Sequence, residues 1–196
     1  MKCLKSDENS CVLCAEFLKQ EKIVLIPTDT VYGFSGIVGK TDEKIRKIKG
    51  RSETKPFIQL ISKKEDLNLI TDEKVPEELL KFWPGPLTLI VKEKKSDSTV
   101  ALRVPGDKWL CDVISMCKTA IYSTSANRSG FPCKTKVSEL EKEFENDVDL
   151  MVFDGDLKNS IPSTIVITSQ LLEHPVQAQV IDVKCISATF QPLNFV

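Results

Sequence analysis

The chain has 196 residues, of which 41% are hydrophobic and 28% charged, with a net charge of −1. This composition predicts a folded core in one domain of moderate size, and it excludes a disordered chain and an overall basic nucleic-acid binder. The apolar runs are too short to span a bilayer, and MKCLKSDENS lacks the apolar centre of a signal peptide, so a cytoplasmic protein is expected.

In chain order, residues 7–22 read as a helix with Cys11, Cys14, Ala15 and Leu18 on one face. Cys11-Val-Leu-Cys14 has zinc-knuckle spacing. A structural zinc site needs about four ligands, yet Cys111 and Cys117 are too widely spaced to supply a second such pair. Core residues on a helix and a metal or redox pair both fit the spacing, and the helical pattern favours the core. Seven cysteines in a cytosolic chain are expected as thiols.

KIVLIP (22–27) is a buried strand that Pro27 ends, since proline offers no N–H. The stretch that follows, TDTVYGFSG, presents Thr28, Asp29, Thr30, Tyr32 and Ser35 in quick succession. Residues 41–49 form a second helix with Ile45 and Ile48 inward. Seven basic residues between Lys40 and Lys55, against Asp42, Glu43 and Glu53, are the strongest local charge excess.

PFIQLIS (56–62) is a strand, and 63–70 and 75–83 are short helices. PLTLIVKEK (86–94) is a strand after the turn WPGP. TVALRVP (99–105) is a strand, and 107–118 a helix capped by Asp107. TAIYST (119–124) is a strand and 137–146 a helix. Strands at 150–155 and 163–168 close the pattern, with another possible at 176–183. His174, the only histidine, sits before Pro175 in an extended surface segment. No nucleophile-elbow motif accompanies it, which argues against Ser-His-Asp chemistry. The alternation of helices and strands predicts an α/β protein built on one mixed sheet.

Four polar clusters lie near strand ends: residues 28–35, Lys49-Gly50-Arg51 with Lys55, Ser123–Gly130, and Pro162-Ser163-Thr164. In open α/β sheets ligands settle where loops leave strand ends. The clusters offer hydroxyls, an amide and fixed cations, the equipment for anions rather than for hard proton abstraction. Each alone could be a turn, and Lys-Gly-Arg alone could be a solvated helix end. Walker A and GxGxxG loops are absent. The residues alone therefore reach an α/β protein with an anionic-ligand site that fits a nucleotide.

Taken in order, IPTDTVYGFSG, KIKGRSETKPF, WPGPLTLI, LRVP, STSANRSGFP and PSTIV resemble the YrdC-like family of L-threonylcarbamoyladenylate synthases, over about residues 23–167. The resemblance implies one YrdC-like domain over 1–196, with its motif-bearing core at about 7–183. The fold implied is a twisted open mixed sheet with flanking helices around a large concave cavity. The implied enzyme is a nucleotidyltransferase joining L-threonine, bicarbonate and ATP, releasing pyrophosphate, for tRNA modification at adenosine 37. Tyr32, Ser123 and Thr124 are secondary candidates. By position, Lys49 and Arg51 would act on the ATP phosphates, and Ser125, Asn127 and Ser123 would bind nucleotide. Thr28, Thr30, Arg103 and Ser163 would bind threonine. Magnesium would ride on ATP, with no resident metal or tightly bound cofactor. Implied partners are tRNA or double-stranded RNA and the proteins that transfer the threonylcarbamoyl group; no membrane is implied. A relative that binds RNA or nucleotide without synthesis fits the same clusters. The chain departs from the family at Ser52, Phe57 and Leu60, and no arginine follows Arg128, leaving Lys184 as the late cation.

Overall fold

The computed structural model describes residues 1–50, 56–157 and 161–168, together with the backbone of 180–182. The first half contains β1 (Lys2–Leu4), α1 (Ser10–Lys19), β2 (Val24–Ile26), β3 (Gly33–Ile37), α2 (Asp42–Lys49) and β4 (Ile58–Leu60). A 3-10 turn at Lys64–Asp66 runs into α3 (Leu67–Ile70), followed by α4 (Glu77–Leu80), β5 (Leu87–Lys92), β6 (Thr99–Arg103) and α5 (Lys108–Cys117). Then come β7 (Ile121–Ser125), α6 (Val137–Phe144), β8 (Leu150–Phe153), β9 (Thr164–Ile167) and β10 (Val180–Asp182).

The strands form one mixed sheet in the order β1-β8-β2-β3-β7-β4-β6-β5-β9-β10. The pairs β1–β8, β2–β8, β4–β6 and β5–β9 are parallel, and the remaining neighbours are antiparallel. β2 and β8 are apolar throughout and buried at every position, as strands covered on both faces must be. Alternation sends Val24, Ile26, Leu150 and Val152 toward Leu18 of α1 and Leu110 and Val113 of α5. It sends Leu25, Met151 and Phe153 into the core formed with Ile45 of α2 and Leu140 and Phe144 of α6. A third cluster packs Leu89, Val91, Val100 and Leu102 against Ile61, Leu67 and Trp83.

Two strands were not expected. β1 is a three-residue edge strand with no alternation to read, paired in register with Met151–Phe153. β3 carries Gly33 and Gly36, which read as loop signals. Both glycines are packed close. A Cβ on Gly33 would lie 3.0 Å from Thr124 O, and one on Gly36 would lie 2.2 Å from Thr41 Oγ1. The first helix is shorter than expected. Asp7 accepts the Leu4 amide at 2.9 Å and so belongs to the turn after β1, and Glu21 is left-handed just past the helix end. The Asp107 cap forms as expected, with its Oδ1 accepting from Leu110 N at 3.1 Å. No helix among the described residues is long and apolar enough to cross a membrane.

Candidate functional site

The loop after β2 is shaped by its own hydroxyls. Thr28 Oγ1 accepts from the Thr30 and Val31 amides, both at 3.1 Å, and donates to Val31 O at 2.7 Å. A threonine side chain that returns to the backbone in this way fixes a tight turn. Thr30 Oγ1 lies 2.9 Å from Thr28 Oγ1, and both residues are buried.

Three strands separate β2 from β6 in the sheet, yet this loop meets Arg103 at the end of β6. Arg103 donates from Nη1 to Thr30 Oγ1 at 3.1 Å and from Nη2 to Asp29 Oδ1. The other Asp29 oxygen accepts the Gly106 amide at 2.8 Å. The sheet is thus curled enough to bring distant strand ends to one place. The Arg103 side chain is only 5% exposed, and its Nε has no hydrogen-bond partner among the described residues. Burial pulls the guanidinium pKa down, and the charge and hydrogen bond of Asp29 oppose that pull.

Leu89 of β5 is in register with Leu102 of β6. One further antiparallel step sets Thr88 opposite Arg103, on the same face of the sheet. Thr88 Oγ1 lies 2.8 Å from Ser163 Oγ, and both residues are buried. Ser163 therefore joins this half of the site through Thr88.

The second half lies at the end of α2. Lys49 turns inward and donates to Ser125 O at 2.6 Å, to Asn127 O at 3.0 Å and to Asn127 Oδ1 at 3.1 Å. Ser125 Oγ donates to the same Asn127 Oδ1 at 2.5 Å, and Asn127 Nδ2 donates to Phe131 O, also at 2.5 Å. Ser129 N returns a bond to Lys49 O at 2.8 Å, and Arg128 bonds Ile48 O and pairs with Asp147 at 2.6 Å. The local basic excess is therefore not a uniform solvated face: Lys49 points into the fold, and Arg46 pairs with Asp42. Tyr32 joins the two halves. Its carbonyl accepts from Ala126 N at 2.8 Å, while its hydroxyl donates to Gly155 O and accepts from Asp154 N, each at 2.8 Å.

The expected residues thus fall into two linked groups: Thr28, Thr30, Arg103 and Ser163, and Lys49, Ser125 and Asn127. Ser123 stands in register with Ser35 and Ile58 and shares the face of Ser125, whereas Thr124 faces the opposite side. Arg51, Ser52, His174 and Lys184 lie outside the described residues. Sequence reasoning missed Asp29 and Thr88 as members of the site. Asp29 stood inside the quoted motif, but its partner was 74 residues away. Thr88 was hidden in an apolar strand.

Three hollows on the described surface, 530 to 620 Å³ in volume, are lined mainly by residues within 59–80, 92–97 and 114–120. Cys14 is fully buried in the α1–α5 interface, and Cys11 Sγ donates weakly to Trp109 O at 3.8 Å, so both pack as helix-face core residues. Burial pushes the Cys111 and Cys117 thiols up to about 11.

Against known proteins, residues 16–178 match the Sua5_yciO_yrdC family model, described as "Telomere recombination". The chain belongs to the Sua5/YciO/YrdC family. A threonylcarbamoyl-AMP synthase of Pyrococcus abyssi is 29% identical over 79% of this chain and 49% of its own length. A putative threonylcarbamoyl-AMP synthase of Methanocaldococcus jannaschii is 33% identical over 83% of each chain. The chain spans about half the length of the Pyrococcus relative. The crystal structure of P. abyssi Sua5 complexed with L-threonine superposes with a TM-score of 0.73 at 28% identity, covering 81% of this chain and 51% of that one. Family membership accords with the twisted mixed α/β sheet described above.

Proposed function

We propose that the chain is an L-threonylcarbamoyladenylate synthase. The threonine amine would add to the carbon of bicarbonate with loss of water. The resulting carbamate oxygen would displace pyrophosphate from the α-phosphorus of ATP, leaving threonylcarbamoyl-AMP. Every reactant in this sequence carries negative charge, so the chemistry is mainly positioning and charge neutralisation.

The observation that carries the reading is Arg103. A guanidinium has five N–H donors, and this one gives one bond to Thr30 and one to Asp29, with its buried Nε unpartnered among the described residues. Unpaired buried donors are costly, and an amino-acid carboxylate would satisfy them. Thr28, Thr30 and Ser163 supply hydroxyls suited to a small hydroxy amino acid. The second group, Lys49, Ser125, Asn127 and Ser123 with Arg51, would take the nucleotide. Lys49 and Arg51 would neutralise phosphate charge, which requires Lys49 to exchange part of its present bonding. The relatives named as synthases, and the Sua5 complex with L-threonine, support the same reading.

Magnesium enters with ATP, as part of that substrate. In this reading the ATP phosphates would carry it, since Mg²⁺ is usually bound through substrate phosphates and few protein groups. In this reading residues 1–196 are one domain working in the cytoplasm, and the product passes to the proteins that modify tRNA. The test is pyrophosphate release with ATP, L-threonine and bicarbonate, each omitted in turn. Release that needs all three is expected. Release without threonine, or none at high protein concentration, overturns the assignment and leaves nucleotide or RNA binding without synthesis.

A further inference from the structure

We propose that Asp29 is a positioning residue of the amino-acid subsite, setting the Arg103 guanidinium so that its unclaimed donors meet the carboxylate of an α-amino acid. The proposal rests on the synthase reading for the identity of that ligand, but the Asp29–Arg103 relation stands on geometry.

A guanidinium on a long side chain rotates unless two or more of its edges are held. Arg103 is held at two points, by Thr30 Oγ1 at one terminal nitrogen and by Asp29 Oδ1 at the other. The two acceptors are adjacent in sequence, and Thr28 Oγ1 fixes the turn that carries them. Asp29 is itself anchored, because Oδ2 accepts the Gly106 amide at 2.8 Å. Gly106 belongs to the chain that leaves β6, three residues beyond Arg103. Asp29 therefore spans the arginine and the backbone just after it. A Cβ on Gly106 would stand 3.1 Å from Asp29 Oδ2, so the approach is close.

The charge matters as well as the geometry. Burial works against the Arg103 cation and Asp29 offsets that effect. Asp29 also occupies only part of the fork. Nε remains without a partner among the described residues, and planar forks recognise carboxylates through paired donors. Asp29 thus fixes which donors stay free for the ligand.

The test separates this role from general damage and from failure of the synthase reading. Asp29→Asn keeps the size and removes the charge. Two measurements are made on the full chain, wild type and variant. The first is nitrogen-15 NMR of the arginine side chains, reading rotation of the Arg103 guanidinium. Restrained rotation in the wild type and faster rotation in the variant are expected; equal rotation overturns the proposal. The second is calorimetric binding of L-threonine and of L-threoninol, which lacks the carboxylate. The variant should lose about tenfold in threonine affinity, the size of one charge-assisted contact, with threoninol affinity unchanged. An equal loss for both ligands shows a merely structural role and overturns the proposal. A wild type that binds no threonine, with the rotation difference intact, overturns the ligand identity while the hold on Arg103 stands. Where the Asn variant fails to fold, Asp29→Glu shifts the charge by one methylene and carries the same comparison, with the same selective loss expected.

Discussion

Lys49 Nζ donates to both oxygens of Asn127, the carbonyl at 3.0 Å and the side-chain Oδ1 at 3.1 Å. Two residues further on, Ser129 N donates back to the Lys49 carbonyl. The end of α2 and the turn after β7 therefore hold each other in both directions, and a residue expected at the nucleotide also completes the fold.

Lys49→Met tests that double role. The aliphatic stem is kept, but three oxygens lose the lysine donor; Ser125 O and Asn127 Oδ1 keep Asn127 N and Ser125 Oγ, whereas the Asn127 carbonyl loses its contact with the ammonium. The expected cost is about 1–3 kcal/mol in urea unfolding. Because Asn127 shares the contact, Asn127→Ala combined with Lys49→Met should cost less than the sum of the two single changes. Strictly additive costs would show that the clamp contributes nothing. In the pyrophosphate assay the same lysine change should lower turnover by about tenfold or more, as loss of a charge-assisted contact to phosphate would.

Arg103→Lys keeps a positive charge and loses the fork. A lysine could reach Thr30 or Asp29 but could not present paired donors to a carboxylate. We expect the KM for threonine to rise about tenfold while the KM for ATP moves less than about twofold. Steady-state kinetics with each substrate varied separately would show it. Equal changes in both constants would remove Arg103 from the amino-acid subsite.

Much of this arrangement is legible in the sequence because its signals are local. The Asp107 cap, the apolar run of β2 and the hydroxyl-rich loop after Pro27 each depend on neighbours a few residues away. β3 is not legible, since its two glycines read as loop signals and become strand residues only by pairing with β2 and β7, which lie far apart in sequence. Asp29 is not legible as a positioning group, since Arg103 comes beside it only when the sheet curls past three intervening strands. Thr88 looks like one more position in an apolar strand until Ser163 is set against it. In each case long-range packing decides what short-range pattern leaves open.

Gly36→Ala addresses the hidden strand directly. The new Cβ would lie 2.2 Å from Thr41 Oγ1, 2.8 Å from Thr41 Cβ and 3.1 Å from Ile23 Cδ1. Thr41 cannot easily yield, because its hydroxyl donates to Ile37 O at 2.9 Å just before α2. Overpacking of this kind costs about 1–3 kcal/mol. A lower midpoint in urea with an unchanged slope is expected; wild-type stability would mean that β3 and α2 can move apart freely.

The cysteines give a prediction in pH. Burial raises the Cys111 and Cys117 thiols from the ordinary 9.0 to about 11, so the folded state favours the protonated form. Between pH 9 and 11 the unfolded chain releases protons that the folded chain keeps. Stability from these groups is therefore complete below pH 9 and is lost as the pH rises toward 11. Other groups titrate in that range, so the comparison must be internal. The double variant Cys111→Ser, Cys117→Ser should show a shallower fall in unfolding free energy from pH 9 to 11 than the wild type. Thiolate is the reactive form, so short iodoacetamide treatment at pH 8 should leave Cys14, Cys111 and Cys117 unmodified in the folded protein, while the urea-unfolded chain is labelled at all seven cysteines. Rapid labelling of Cys111 in the folded protein would instead reveal an activated thiol and overturn the assignment of these cysteines to packing.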